Sequence, residues 1–280
     1  MKHALTAFAE VGERLRASNR VLVASDFDGT LCPITVRPSN VFLAPATLGV
    51  LGEVEACDRL SVAVISGRAL ADVRGRVPLD LIFAGNHGLE IAGRGRNFSH
   101  PAASRLRPLI AQAQRRLAGL DRHWPGAWIE NKEFSLTLHY REVAESRRHS
   151  LHAAARRGLN VFAPHLAFRA GLMSLEIRPR GNWEKGSALA YIQDNFGPFD
   201  LSVCLGDDTT DESMFRANRD QINIKIGRPV RTAASYCLSN PGEVVILLSK
   251  IAGLCGRESR SVSGASPPAV KLERSFHCRQ

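Results

Sequence analysis

The stretch Val21–Leu31, which reads VLVASDFDGTL, decides the fold because an apolar run passes directly into a polar turn. A short apolar run without alternation predicts a strand that is buried on both faces, and the Asp and Gly residues behind it predict a tight turn. Strands buried on both faces are typical of parallel sheets. This stretch therefore favours an α/β fold.

Three further apolar runs end in polar clusters in the same way. They are Ser61–Ile65 before Ser66-Gly67-Arg68, Leu81–Ala84 before Gly85-Asn86-His87-Gly88, and Leu201–Leu205 before Gly206-Asp207-Asp208. Helix-like segments at 45–57, 183–196 and 243–254 alternate with the runs. Strands that alternate with helices predict a parallel sheet covered by helices on both faces.

The middle of the chain has a different pattern. Ala127–Glu130 and Phe134–Tyr140 are strand-like around Asn131-Lys132-Glu133, which predicts a hairpin, and Leu172–Ile177 is a further strand candidate. Residues 102–118 and 142–157 have a helical pattern. We therefore expect a small α+β unit at 101–180, inserted into a core made of 1–100 and 181–255. Residues 256–280, rich in Ser, Pro and Arg, are expected to be a disordered tail.

The length, hydrophobic content and cysteine pattern of the chain indicate a globular cytoplasmic protein. Its 280 residues are 44% hydrophobic, which is enough for a sizeable core, and no run of 18 apolar residues predicts a membrane span. The helix-like segment Met1–Ala17 lacks the apolar centre of a secretory signal. The six cysteines are scattered without a CxxC pair, so we expect reduced thiols and a cytoplasmic location.

The net charge of +10 is concentrated in the middle of the chain, where residues 101–180 hold 14 basic and 6 acidic residues. A solvated basic face accounts for most of these arginines, and attraction of a phosphate-bearing ligand is the sharper interpretation. No compact Lys/Arg run with interleaved aromatic residues occurs, so nucleic-acid binding is the disfavoured alternative. We expect a small-molecule substrate, no nucleic-acid or membrane partner, and a monomer.

The polar clusters at the strand ends carry the expected chemistry. The carboxyl ends of parallel strands meet at one edge of the sheet, so these clusters are expected to converge in one crevice. Asp26 and Asp28 lie on a turning loop, where one carboxylate can attack a phosphorus and the other can transfer protons. An Asp-x-Asp pair alone is equally a surface turn.

A metal site is expected among the acids Asp207, Asp208 and Asp211, because Mg²⁺ prefers hard oxygen ligands and acids packed beyond a buried strand require a cation. The same residues are good caps for the helix that follows, and both functions are compatible. Ser66 is a candidate for binding a phosphoryl oxygen. Lys185, near a helix start, is a candidate for neutralising phosphoryl charge.

Taken together, these motifs resemble the haloacid-dehalogenase superfamily. Its four motifs are present in order: Asp-Phe-Asp-Gly-Thr-Leu at 26–31, Ile-Ser-Gly-Arg at 65–68, Lys-Gly at 185–186, and Gly-Asp-Asp-Thr-Thr-Asp-Glu at 206–212. The resemblance implies a Rossmann-like core with an inserted α/β cap, and Mg²⁺. It implies Asp26 as the nucleophile, Asp28 as the proton donor, and ligands from Asp26, the Asp28 backbone carbonyl and Asp207. Asp208 and Asp211 would orient metal-bound water.

Three stretches more closely resemble the trehalose-6-phosphate phosphatases. They are Gly-Asn-His-Gly-Leu-Glu at 85–90, the hairpin Ile129–Arg141, and Leu-Glu-Ile-Arg-Pro at 175–179. The resemblance implies that Glu130, Lys132 and Glu176 hold sugar hydroxyls and that His87 and Arg178 lie near the substrate. Arg68 and Asn86, within the same strand-end motifs, are further substrate-binding candidates.

Trehalose 6-phosphate is therefore the expected substrate, and an aspartyl-phosphate the expected intermediate. Sucrose 6-phosphate or a mannosyl phosphate compound stays open as an alternative, since the core would be the same. A catalytically silent partner of a trehalose-phosphate synthase is a third possibility. Trp183 and Glu184, directly before Lys185, depart from the family pattern and leave the local loop geometry open.

Overall fold

The computed structural model describes residues 1–35, 41–171, 173–228 and 231–262. Its strands are β1 (Lys2–His3), β2 (Val21–Ser25), β3 (Leu60–Ile65), β4 (Ile82–Gly85), β5 (Glu90–Gly93), β6 (Arg96–Ser99), β7 (Trp128–Asn131), β8 (Leu136–His139), β9 (Leu166–Gly171), β10 (Ser174–Pro179), β11 (Leu201–Gly206), β12 (Ile222–Ile226) and β13 (Tyr236–Leu238). Its helices are α1 (Phe8–Arg16), α2 (Pro45–Glu55), α3 (Leu70–Arg76), α4 (Pro101–Leu117), α5 (Leu120–His123), α6 (Glu145–Leu159), α7 (Lys185–Phe196), α8 (Glu212–Ala217) and α9 (Pro241–Val262).

The larger sheet has the strand order β1-β13-β12-β11-β2-β3-β4-β5-β6. In this spatial order, every strand from β1 at one edge through β2 to β4 runs parallel to its neighbours. The strands β5 and β6 follow β4 at the other edge and are antiparallel. The strand β2 lies at the centre, between β11 and β3, and all five of its residues are buried. Its carboxyl end is therefore flanked by the ends of two other buried strands.

Helices cover both faces of this sheet, as the apolar strands require. Val21 and Val23 pack into a core with α2 and α9, and Leu22 and Ala24 pack into a second core with α7 and α8. This confirms the predicted α/β class with a mainly parallel sheet.

The smaller sheet has the order β7-β8-β10-β9 and is antiparallel throughout. One face packs Leu136, Leu138 and Ile177 against the apolar sides of α4 and α6. The other face carries the alternate, mainly polar residues. All its strands come from the inserted unit expected at 101–180. The exact domain boundaries stay a prediction.

Several elements differ from the sequence prediction. The segment predicted as one helix over Met1–Ala17 begins with β1, and its helix starts at Phe8. The strands β5, β6, β9, β12 and β13 were not predicted. Short edge strands such as β6 carry charged residues, and β12 buries the polar residues Asn223 and Lys225, so neither has the apolar run that marks a core strand.

The ends of elements also shift. The helix predicted from Trp183 begins at Lys185, and the strand predicted over Leu172–Ile177 covers Ser174–Pro179. The last helix continues to Val262, beyond the predicted start of the tail at 256, and residues 263–280 lie outside the described residues. Within the described part of the chain, none of the helices has both the length and the apolar character that a membrane crossing needs.

Candidate active site

Asp26 and Asp28 leave the carboxyl end of β2 in a tight turn. The Asp26 N–H donates to the Leu205 carbonyl at 2.9 Å, which continues the pairing with β11 and keeps the Asp26 side chain buried. Gly29 has a φ of 82°, and a Cβ there would lie 2.1 Å from Asp207 Oδ2. Only glycine fits this position, and the turn thereby packs its backbone against the acid of the neighbouring strand.

Three carboxylates from these two strand ends form one cluster. Asp26, Asp207 and Asp211 each place one oxygen within 4.8 Å of the others. Lys185 Nζ donates to Asp26 Oδ1 at 2.6 Å and to Asp211 Oδ1 at 2.7 Å. The nearby Lys225 donates instead to the backbone carbonyl of Asp207. Lys185 therefore binds two of the three carboxylates.

The cluster is electrostatically unfavourable without a further cation. Burial raises the pKa of Asp26 well above its usual value, and burial together with the charge of Asp211 raises the pKa of Asp207 to about 6. Hard divalent cations prefer oxygen ligands such as these carboxylates, and a bound cation relieves the repulsion between the carboxylate charges. A divalent metal of the oxygen-preferring kind therefore fits this donor set.

The acids beyond β11 differ in burial and in their contacts. Asp211, which we expected to orient metal-bound water, is fully buried and belongs to the carboxylate cluster itself. Asp208 is exposed, and its Oδ1 accepts a hydrogen bond from the Thr209 N–H at 2.6 Å. The helical turn Thr209–Asp211 causes this difference, because it directs Asp211 back to β11 and leaves Asp208 as the cap.

Asp28 binds the guanidinium of Arg68 instead of joining the three-carboxylate cluster. Arg68 Nε and Nη2 donate to its two carboxylate oxygens, each at 2.7 Å. Arg68 also donates to Asp72 at 2.8 Å, and its guanidinium lies 5.3 Å from the centre of the Phe27 ring. This arrangement fixes Asp28 at the wall of the crevice.

Ser66, at the end of β3, is buried and serves the local turn. Its Oγ accepts a hydrogen bond from the Arg68 N–H at 3.2 Å, and its carbonyl accepts one from the His87 N–H at 2.9 Å. Gly67 and Arg68 of this turn line the crevice, whereas Ser66 is not among the described residues that line it. Its predicted contact with a phosphoryl oxygen stays a prediction.

A cavity of about 830 Å³ opens between the carboxyl edge of the large sheet and the polar face of the small sheet. The predicted site residues that line it are Asp26, Asp28, Arg68, His87, Glu130, Lys132, Glu176, Arg178, Lys185, Asp207 and Asp208. Segments that are far apart in the sequence thus meet around a single space, as the sheet topology predicted.

The register of the small sheet orders its polar face into rows. Glu130, Thr137, Glu176 and Arg169 lie in one row, because Glu130 pairs with Thr137, Thr137 with Glu176, and Glu176 with Arg169. All four line the cavity. Charged residues of opposite sign therefore face the carboxyl edge of the large sheet across the cavity.

Polar contacts tie this row to the large sheet. His87 Nε2 lies 2.8 Å from Glu176 Oε1, and Lys132 Nζ donates to the Gly67 carbonyl at 3.0 Å. Burial opposes ionisation of Glu176, but the neighbouring His87 and Lys132 more than offset it and lower its pKa. Glu176 is therefore held as an ionised hydrogen-bond acceptor in the cavity wall.

Asn86 does not line the cavity; it connects the two sheets. Its Nδ2 donates to Glu90 Oε2 at 2.8 Å and to the Lys132 carbonyl at 3.0 Å, and its Oδ1 accepts from Ser135 Oγ at 2.7 Å. Its φ of 51° lies in the left-handed region, which Asn tolerates better than most residues. These contacts connect Asn86 to the hairpin turn, and its predicted substrate contact stays a prediction.

Trp183 and Glu184, which directly precede Lys185, have defined contacts. Trp183 Nε1 donates to the Gly88 carbonyl at 2.9 Å, and the indole stacks on Phe98 with centroids 5.5 Å apart. Glu184 is the N-cap of α7 and binds Arg169 at 2.9 Å and Arg178 at 3.5 Å. The loop before Lys185 is thus anchored on both sides.

Sequence reasoning missed several residues of the site. Lys225 lies in the unpredicted strand β12, and Trp128 and His139 line the cavity from the hairpin. The alternation of Leu136 and Leu138 with Thr137 and His139 was the available signal, since it separates the buried face from the cavity face. Only the register between strands shows which of these side chains are neighbours.

Comparison with known proteins gives a consistent family. Residues 24–238 match the family described as Trehalose-phosphatase. The chain is 33% identical over 261 residues to "Probable trehalose-phosphate phosphatase 4" of Oryza sativa subsp. japonica, covering 89% of this chain and 70% of that protein. It is 31% identical over 272 residues to "Probable trehalose-phosphate phosphatase I" of Arabidopsis thaliana, covering 90% and 73%.

Among solved structures, the fold is similar to that of a "trehalose-6-phosphate phosphatase related protein". The superposition has a TM-score of 0.77 at 23% identity and covers 85% of this chain and 99% of the other. At this identity the likeness concerns the fold, and it agrees with the topology described above.

Proposed function

This chain belongs to the trehalose-phosphatase family, and from that premise we propose that it hydrolyses trehalose 6-phosphate to trehalose and phosphate. The observation that carries the proposal is the cavity itself, which has the Lys185-bound acid cluster on one side and the charged row of the small sheet on the other. A sugar phosphate has the matching chemistry, with an anion at one end and hydroxyl groups at the other.

We propose that Asp26 is the nucleophile. Support comes from its burial and from the 2.6 Å hydrogen bond with Lys185, which orients one carboxylate oxygen. An Asp26 oxygen bonds to phosphorus while the bond from phosphorus to the sugar oxygen breaks. The aspartyl-phosphate is then cleaved by water, which releases phosphate and restores the carboxylate.

Asp28 transfers the protons in this proposal. It donates a proton to the departing sugar oxygen and then takes one from the attacking water. The two hydrogen bonds from Arg68 hold its carboxyl group in the cavity wall.

Mg²⁺ is the proposed metal, held by Asp26, Asp207 and the Asp28 backbone carbonyl. When bound, it supplies positive charge against the oxygens of the phosphoryl group. Lys185 contributes in the same direction from the protein side, since its ammonium already binds Asp26 and Asp211. Asp208 and Asp211 are proposed to act around this metal site.

Sugar recognition is assigned to Glu130, Lys132 and Glu176, with His87 and Arg178 beside them. Charged donors and acceptors make stronger hydrogen bonds to hydroxyl groups than neutral ones. Burial opposes ionisation of Glu130, but His139 and Lys132 lower its pKa, so it stays an acceptor. A site of this kind rejects analogues that lack the hydroxyls, because its polar groups would be left unpaired.

The proposed setting is the cytoplasm, in agreement with the scattered thiols of the sequence. A monomeric state and the absence of nucleic-acid and membrane partners stay predictions.

The proposal is tested by measuring phosphate release from a panel of substrates: trehalose 6-phosphate, sucrose 6-phosphate, a mannosyl phosphate compound and glucose 6-phosphate. We expect the highest kcat/KM with trehalose 6-phosphate and no turnover by Asp26→Asn with its fold intact. Full activity of that variant, or preference for another sugar, contradicts the assignment.

The sugar-binding assignment is tested by Glu130→Ala. We expect this variant to lose more activity on trehalose 6-phosphate than on a small generic phosphate ester. Equal losses on both substrates argue against a role in sugar binding.

A further inference from the structure

An aromatic pair lines the cavity beside the start of β10 at Ser174. This is the opposite end of β10 from Pro179, after which the chain returns to the large sheet. Trp128 and His139 are directly opposite each other on β7 and β8, and their rings stack with centroids 3.9 Å apart and planes 15° apart. Both side chains line the cavity. Neither has a role in the phosphoryl-transfer chemistry described above.

Trp128 differs from the other apolar residues of the small sheet because it faces the cavity. Its exposed fraction is 38%, whereas Leu136, Leu138 and Ile177 on the opposite face are buried. The register of β7 with β8 places the indole on the cavity face of the sheet and not in the core behind it. A partly exposed indole in a mainly polar cavity wall provides contact area for a ligand that is partly apolar.

The position of the imidazole in this pair is set by hydrogen bonding. His139 Nε2 lies 2.9 Å from Glu130 Oε2, and Glu130 also lies 3.8 Å from Lys132 Nζ. The aromatic pair is therefore held by the same residue that is proposed to bind sugar hydroxyls. Its rings form a preorganised wall next to the charged row.

The neighbours in the same row leave space beside this wall. His139 pairs with Ser174, and Ser174 pairs with Gly171, so the row continues with two small residues that also line the cavity. This outer row is two residues along the strands from the charged row, which is about 6.7 Å. That spacing is about the space that one sugar ring occupies.

We infer that the outer row (Trp128, His139, Ser174 and Gly171) is a second sugar subsite, in which the aromatic pair packs against the ring that does not carry the phosphate. The C–H groups of a pyranose give it a partly apolar surface, which the exposed parts of the two rings would cover. The inference rests on the proposed function. It assigns to this row the selection of disaccharide phosphates over single-ring sugar phosphates.

The experiment compares the wild-type chain with Trp128→Ala and Trp128→Phe. For each, kcat/KM is measured with glucose 6-phosphate and with the disaccharide phosphate of the panel that the wild type hydrolyses best. The readout is the ratio of the two values, because this ratio cancels any general damage to the phosphoryl-transfer machinery. Thermal unfolding of each variant confirms that the fold is retained.

We expect Trp128→Ala to lower this ratio about tenfold, mostly through KM for the disaccharide phosphate. Trp128→Phe, which keeps a flat ring, is expected to hold the ratio within about threefold of the wild type. An unchanged ratio in Trp128→Ala, or an equal loss in both variants, overturns the inference.

The inference and the proposed function fail in separate ways. A wild type that prefers a disaccharide phosphate other than trehalose 6-phosphate contradicts the proposed function, while the ratio in the variants still tests the subsite. A wild type that prefers glucose 6-phosphate to every disaccharide phosphate overturns the subsite as well.

Discussion

Replacing Lys185 by methionine tests the electrostatics of the acid cluster. The ammonium of Lys185 is buried and binds Asp26 at 2.6 Å and Asp211 at 2.7 Å. Methionine keeps most of the volume but leaves both carboxylates without this partner. Removal of one partner from a buried ion pair costs about 3–5 kcal/mol. For a chain of this size each kcal/mol corresponds to about 2–4 °C, so the melting temperature is expected to fall by about 6–20 °C.

The loss is expected to depend on pH. Burial raises the pKa of Asp26 above its unfolded value, and Lys185 opposes that rise. Without the ammonium the pKa of Asp26 increases further. A raised folded-state pKa of a carboxyl contributes stability at low pH that is lost as pH rises through that pKa. The deficit of Lys185→Met should therefore be larger at pH 7.5 than at pH 5.5.

The assay is thermal unfolding of the full chain in EDTA at both pH values. Lys225→Met is the matched control, because Lys225 is also buried but donates to the Asp207 backbone carbonyl, which does not titrate. The control is expected to lose about 1–3 kcal/mol with little pH dependence. A Lys185→Met deficit below about 1 kcal/mol, or one that is equal at both pH values, refutes the reasoning.

Two further predictions concern metal binding and the hairpin. Burial and the charge of Asp211 raise the pKa of Asp207 to about 6, so its carboxylate forms as pH rises through that value. The increase in melting temperature on adding Mg²⁺ should therefore be larger at pH 7.5 than at pH 5. An increase that is equal at the two pH values, or larger at pH 5, contradicts the metal site. Asn86→Ala leaves the buried Ser135 hydroxyl without its acceptor and removes one of the two donors to the Lys132 carbonyl, so we expect a loss of about 1–3 kcal/mol in thermal unfolding. Steady-state kinetics should show a higher KM for the sugar phosphate with less change for a small ester, and an unchanged KM argues against a positioning role.

Local patterns were sufficient for the core of the fold. Val21–Ala24 and Leu201–Leu205 are apolar runs that end in acids, and short buried strands of this kind belong to parallel sheets whatever the rest of the chain does. Because the carboxyl ends of such strands share one edge, the meeting of Asp26 and Asp207 followed from the sequence once the class was known, whereas Lys185, at a helix start, was placed there by the family resemblance.

Contacts that depend on register were not available from local patterns. The bidentate pair of Arg68 with Asp28, the inclusion of Asp211 in the cluster, and the bridge from Asn86 to the hairpin each join segments whose distance depends on how strands align. The short strands β5 and β6 lack an apolar run, and their pairing at the sheet edge was likewise decided by tertiary contacts.

By itself, therefore, the sequence determined the α/β class and the order of the strand-end motifs, since apolar periodicity and turn chemistry act over a few neighbouring residues. The tertiary structure decided which side chains pair across the cavity, such as His87 with Glu176 and Trp128 with His139. A shift of one residue in the register would turn Glu176, Trp128 and His139 to the opposite face of the small sheet, and register is set by packing of the whole sheet.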